Sequence, residues 1–199
     1  MNDVHTIGII GAGEKGREIA RLALLGGYRV ILEDMSVSRL AESSAAISAA
    51  LDAAAARGKI DDRRKREIAG SLSTTQSVDE VSRSGDLLID ATPEEAELQL
   101  EIFTILDKFA KPDAIFASTA NSISIADLAE ITNCPERCVG LRFPERLKES
   151  ESLVILQAPK TSERTVQRCA NAARRMGLEV KVITESADLA GADKESHRL

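Results

Sequence analysis

The stretch that most constrains the fold is Thr6-Ile7-Gly8-Ile9-Ile10-Gly11-Ala12-Gly13-Glu14-Lys15-Gly16. Its apolar start reads as a buried strand. It runs into a G-x-G-x-x-G turn, and an amphipathic helix follows, ending at Gly26-Gly27. In such a turn Gly11 permits the tight bend, Gly13 lets backbone approach a pyrophosphate, and Gly16 lets the helix pack closely on its strand. The N–H groups and positive dipole end of that helix suit phosphate. A second strand, Tyr28–Glu33, leads to Asp34, which stands 23 residues after Gly11. A carboxylate roughly 20 residues beyond the first glycine is placed for the adenosine ribose of a dinucleotide. The expected cradle is therefore Gly11, Ala12, Gly13, Glu14, Lys15 and Gly16, with Asp34 opposite.

Composition sets the outer bounds. A chain of 199 residues with 43% hydrophobic and 29% charged residues is long enough for a core without metals or disulfides. The net charge of −6 is spread along the chain, so no basic face points to nucleic acid or anionic membrane. No apolar run has the length of a membrane span, and the N-terminus lacks a signal-peptide pattern. Cys134, Cys138 and Cys169 lack metal-ligand spacing and read as buried or idle thiols of a reducing cytoplasm. The two histidines, His5 and His197, lie at the chain ends.

After the first β-α-β unit, Ser36 or Ser38 caps an alanine-rich helix to about Arg57, stopped by Gly58. Asp61 opens a second, charged helix that ends near Gly70, so the two helices form an inserted clip. The rest alternates. Leu72–Thr74 is a short strand, and Ser77-Val78-Asp79-Glu80 is a capping box. Leu87–Ala91 is a buried strand, and Thr92-Pro93 opens a helix to about Phe109 with the proline in its first turn. Ala114–Ala117 is the next strand, Ser124 with Asp127 starts a helix, and Cys138–Arg142 and Leu153–Gln157 are strands flanking a charged loop. Thr161 or Ser162 caps a helix to Met176-Gly177, and Glu179–Ile183 closes the sheet.

This pattern predicts an α/β Rossmann-type doubly wound fold, with a mostly parallel sheet and a helical hairpin after the second strand. It would occupy residues 1–184, with a polar tail over 185–199. The expected core order is 3-2-1-4-5-6. At least one of the last two strands should run antiparallel, because the loop after Arg142 holds no crossover helix.

From Val4 to Ile183 the chain resembles the NAD-binding domain of L-3-hydroxyacyl-CoA dehydrogenases. The residues that carry the likeness are Gly11–Gly16, Asp34, the clip, Ile89-Asp90-Ala91-Thr92-Pro93-Glu94, Ile115-Phe116-Ala117-Ser118 and Pro135–Phe143. The resemblance implies NAD as cofactor. Asp34, followed by Met35 rather than arginine, agrees with NAD over NADP. It also places Glu94, Gln99 and Asn121 near the cofactor, where Gln99 replaces a lysine and Asn121 a serine. Glu14 and Lys15 replace apolar residues of the turn, and an inward Glu14 would oppose pyrophosphate. Arg57 and Lys59 lie where the clip meets CoA phosphates in the family, although their charges also fit a solvated face.

The family oxidises the 3-hydroxyl of an acyl-CoA, a step in fatty-acid metabolism, with a histidine base oriented by a glutamate. The family histidine follows Gly-Leu and precedes Phe, and this sequence reads Gly140-Leu141-Arg142-Phe143. Arginine stays protonated, so Arg142 cannot act as that base. The glutamate position falls near Ile155, or at Val154 if the loop is aligned without an insertion. The family's apolar segment is replaced by Pro144–Glu151. No catalytic residue is therefore assigned, and no metal site.

In the family a helical domain follows and completes the substrate site and usually the dimer, and here the chain ends about where it would begin. A homo-oligomer or a helical-domain partner is the implied cover. Three readings follow: a nucleotide-binding module that does not catalyse the family reaction alone, an oxidoreductase of altered substrate with Lys15, Asn121 and Arg142 around a small carboxylate, or an interaction protein that no longer binds NAD.

Overall fold

The computed structural model describes residues 3–144 and 152–185. Within them a single eight-stranded sheet runs in the order β3-β2-β1-β4-β5-β6-β7-β8. The strands are β1 Thr6–Ile10, β2 Arg29–Glu33, β3 Leu72–Thr75, β4 Leu87–Asp90, β5 Ile115–Ser118, β6 Cys138–Arg142, β7 Ser152–Gln157 and β8 Glu179–Thr184. The helices are α1 Glu14–Leu25, α2 Val37–Ala56, α3 Asp62–Ala69, α4 Val78–Ser84, α5 Ala96–Phe109, α6 Ile125–Glu130 and α7 Glu163–Arg175. The doubly wound fold and the 3-2-1-4-5-6 core order are as expected.

Near-continuous apolar strands let helices cover both sheet faces. Ile7 and Ile9 of β1 join Ile19, Ala23 and Leu24 of α1 and the alanines of α7 in one core. Ile10 turns the other way, into a second core with Val81 of α4 and Ile102, Phe103 and Leu106 of α5. Strand alternation thus divides one chain between two layers. The three cysteines are buried free thiols. No helix among the described residues is long and apolar enough to cross a membrane.

Helix starts follow local chemistry. The side chains of Ser36, Asp61, Ser77, Ser124 and Ser162 accept the N–H of Arg39, Arg64, Glu80, Asp127 and Thr165. The expected capping box is only half made, because Glu80 takes the hydroxyl of Thr75 instead of closing back on Ser77. Pro93 does not open a helix. Asp90 Oδ1 gathers both the N–H and the hydroxyl of Thr92, at 3.0 and 2.6 Å, and the chain turns again from Glu95 N–H to Pro93 O. These bonds hold residues 91–95 outside α5, which starts at Ala96.

The end of the sheet reverses. β7 pairs antiparallel with β6, and β8 pairs parallel with β7, so both late strands oppose the core. Glu185, expected to open the tail, belongs to the fold. Its N–H donates to Gln157 O, and its carboxylate accepts Ile125 N–H and Ala126 N–H at 2.9 and 3.1 Å. The charged loop over 145–151 and the tail over 186–199 lie outside the described residues.

Candidate cofactor groove

The groove opens beyond the C-terminal ends of β1, β2 and β4 and has a volume of about 510 Å³. It is lined by Gly11, Gly13, Glu14 and Lys15 on one side and by Asp34, Met35, Thr92 and Glu94 on the others. Gly11 sits at φ +96°, a conformation that side-chain-bearing residues rarely adopt. A Cβ on Gly16 would collide with the carbonyl oxygen of Gly11, so this position sets the approach of α1 to its strand. Gly16→Ala should cost about 3 kcal/mol or more in overpacking, read as a lowered urea midpoint at unchanged slope. A Cβ on Gly13 would meet nothing within 4 Å, so the turn is open there.

The helix ladder begins with Arg17 N–H to Gly13 O at 2.9 Å, so the first-turn N–H groups of α1 have no intrahelical partner. Such N–H groups suit an anion. Ala12, buried beneath the turn, spends its own N–H on Asp34 Oδ2 at 3.0 Å, while its carbonyl accepts the hydroxyl of Ser43 from α2. Asp34 Oδ1 accepts Ser36 N–H at 2.9 Å, and Arg39 Nη1 stands 3.3 Å from Oδ2. The carboxylate is thereby locked at the groove wall with lone pairs to spare for a sugar hydroxyl. Glycine cradle, fixed carboxylate and free helix N-terminus together fit a dinucleotide.

Comparison with known proteins decides the family. The 3-hydroxyacyl-CoA dehydrogenase NAD-binding domain matches residues 6–186. The chain belongs to this family. A 3-hydroxybutyryl-CoA dehydrogenase of Bradyrhizobium diazoefficiens is 30% identical over 179 residues, which span 90% of this chain and 61% of that protein. The mitochondrial hydroxyacyl-coenzyme A dehydrogenase of Sus scrofa is 30% identical, covering 87% and 57%. Among solved structures, FadB2 of M. tuberculosis superposes with a TM-score of 0.85 at 26% identity, covering 93% of this chain and 65% of that one. The chain therefore spans about three fifths of the length of these relatives. NAD is the cofactor of this dehydrogenase domain.

The remaining expected residues separate into two groups. Glu14 and Lys15 both line the groove, so the turn presents one charge of each sign. Glu94 lines it too, and its Oε1 accepts Asn121 N–H and Nδ2–H at 3.3 and 3.0 Å. Asn121 thus reaches the groove only through Glu94. Gln99 does not reach it: the side chain is 1% exposed on the inner face of α5, with Oε1 unpaired among the described residues. Helix periodicity turns position 99 toward the sheet while Leu98 and Ile102 face the groove. Arg57 and Lys59 lie elsewhere, lining a separate hollow of about 680 Å³ with Arg21, Leu22, Leu51, Arg175 and Met176.

Arg142, which the sequence resemblance sets at the family's base position, ends β6. It is half-buried, and its Nη1 donates to Ser118 O at 3.1 Å. Burial lowers the pKa of its guanidinium, and the nearby carboxylates of Glu185 and Glu94 oppose that shift. It remains a cation held between two anions. Directly opposite in the antiparallel ladder stands Val154, whereas Ile155 pairs with Leu141, is fully buried and points to the other face. Of the two positions that the sequence offered, Val154 is the one that faces residue 142.

Sequence reading missed one groove residue of consequence. Glu33, read only as the last residue of a strand, lines the groove at 3% exposure. Burial, with the charge of Asp34 next to it, pushes its carboxyl up to about 7. Asp90 is similarly buried at the end of β4, with Oδ2 unpaired among the described residues, and desolvation raises its pKa. The available signal was a carboxylate ending each of two otherwise apolar strands.

Proposed function

We propose that this chain is an NAD-binding domain of dehydrogenase ancestry that does not carry out the family's 3-hydroxyacyl-CoA oxidation by itself. Pyrophosphate would lie on the N–H groups of Gly13–Gly16, with Lys15 adding charge and Asp34 taking ribose hydroxyls. Glu94, braced by Asn121, stands at the nicotinamide end. Bound NAD would supply the hydride acceptor. The observation that carries the reading is Arg142 bonded to Ser118 O with Val154 opposite, taken with the resemblance that sets residue 142 where the family has its base. A permanent cation facing an aliphatic side chain has no lone pair with which to take a hydroxyl proton.

The alternative of a cationic pocket for a small carboxylate finds less support. Arg142 is flanked by Glu94 and Glu185, and Asn121 is spent on Glu94. A cytoplasmic setting agrees with three buried free thiols. A helical partner chain or a second copy would suit the outer strand β8, where Val182 and Ile183 are about half exposed.

Calorimetric titration tests the cofactor assignment. NAD should bind more tightly than NADP, because Asp34 repels a 2′-phosphate. Asp34→Ala should weaken NAD by about 1.5–3 kcal/mol, the scale of hydrogen bonds to a charged group. Equal binding by parent and variant would remove Asp34 from the ribose site.

A further inference from the structure

We propose that Glu33 makes the adenosine end of the groove a base-reading subsite, its carboxyl group taking the exocyclic amine of adenine. This rests on the NAD reading above. Glu33 ends β2, opposite Ile10 of β1 and Thr75 of β3. Its neighbour Asp34 turns toward Ala12 and the start of α2. Alternation along the strand sends Glu33 to the other sheet face, where Ile10, Val78, Leu98 and Ile102 line the groove. The result is an apolar slot beside the ribose carboxylate, with one carboxyl group set into its wall.

Apolar walls suit a flat purine, and a buried carboxylate among them is costly unless something hydrogen-bonds to it. Among the described residues no cation pairs with Glu33: of the two lining the groove, Arg39 is engaged by Asp34 and Lys15 acts on Asp90. The N–H of Gly11 donates to the main-chain carbonyl of Glu33 at 2.9 Å and is close enough to the carboxyl group to lower its pKa slightly. That leaves acceptor capacity facing the slot.

Adenine presents an amine donor at C6 beside an acceptor at N1. Ionised Glu33 accepts from the amine, and protonated Glu33 also donates to N1. Hypoxanthine reverses the pattern, with an oxygen acceptor at C6 and an N–H at N1. A carboxylate set to meet the amine then faces the lone pairs of that oxygen. A site built around a hydrogen bond discriminates more strongly than an apolar pocket, because the unmatched group stays buried and unpaired.

The test compares NAD with nicotinamide hypoxanthine dinucleotide by calorimetry at pH 8, where Glu33 is ionised and cannot donate to the hypoxanthine oxygen, on the parent, Glu33→Leu and Glu33→Gln. The parent should favour NAD by about 10–100-fold, the range expected for a hydrogen bond to a charged group. Glu33→Leu, which completes the apolar wall, should bind both dinucleotides within about threefold of each other. Glu33→Gln is nearly isosteric and its amide turns either way, so its preference should shrink similarly even if the leucine variant folds poorly. Equal binding of both by the parent overturns the base subsite and leaves the NAD assignment standing. A preference that persists in both variants also overturns it. If neither dinucleotide binds the parent, both readings fall together.

Discussion

At pH 8 the Glu33→Gln variant should be more stable than the parent, relative to their difference at pH 5, by up to about 3 kcal/mol. The sign follows from linkage. Glu33 titrates near 7 in the folded chain, against an unperturbed 4.5. The folded state therefore holds its proton over a range in which the unfolded chain has lost it. Below 4.5 both forms are protonated and nothing is lost. As pH rises from there toward 7, unfolding releases a proton and the native state is progressively disfavoured. The shift corresponds to roughly 3 kcal/mol at 1.36 kcal/mol per unit, an upper value for a residue that keeps some access to the groove. Asp90, also raised by burial, pulls in the same direction, and Asp86, where burial is outweighed by Lys111 and the N–H groups of Thr6 and His5 so that its pKa is lowered, pulls the other way. Both cancel in the difference between parent and variant. Urea unfolding at intervals from pH 5 to 8 measures that difference. A constant gap would mean that Glu33 titrates normally.

The division between what the sequence disclosed and what it did not has a physical basis. The glycine turn and Asp34 were legible because the constraint lies in spacing along a few residues: one glycine for a positive φ, one for close approach, one carboxylate at the next strand end. Helix starts were legible for the same reason, since Ser36 or Asp61 satisfies an N–H three residues away. Pro93 was misplaced because a proline suits both a first helical turn and the loop before it. Asp90 holding Thr92 decided between them. The reversed end of the sheet was legible only as a direction. Its register depends on pairing across residues 145–151, and register determines that Val154, not Ile155, faces Arg142. Glu185 was unreadable as part of the fold because its partners, Ile125 and Ala126, lie 60 and 59 residues away. Glu33 was overlooked because burial is a property of three strands and two helices together.

Restoring a base should work only when its surroundings are restored as well. Arg142→His alone should recover far less than the 10²–10⁴-fold that general-base catalysis typically supplies. A neutral imidazole at 142 would face aliphatic Val154, with no carboxylate to fix its tautomer or stabilise its charged form. The double variant Arg142→His with Val154→Glu puts a carboxylate directly across the ladder and should exceed the single variant by at least about tenfold, on the scale of a pKa tuned toward the working pH. Ile155→Glu should not substitute, because it would bury a charge on the far face of the strand. Substrate positioning, worth several kcal/mol of barrier, would still be wanting without a partner domain. NADH oxidation with acetoacetyl-CoA, compared across the three variants, reads the difference. Equal rates for Val154→Glu and Ile155→Glu in the histidine background would refute the register argument.

The most direct measurement is that same assay on the purified parent, at NADH concentrations that saturate the groove by calorimetry. The account predicts cofactor binding without any protein-dependent oxidation of NADH by acetoacetyl-CoA. A saturable rate that follows the protein through purification and disappears in Asp34→Ala would contradict it.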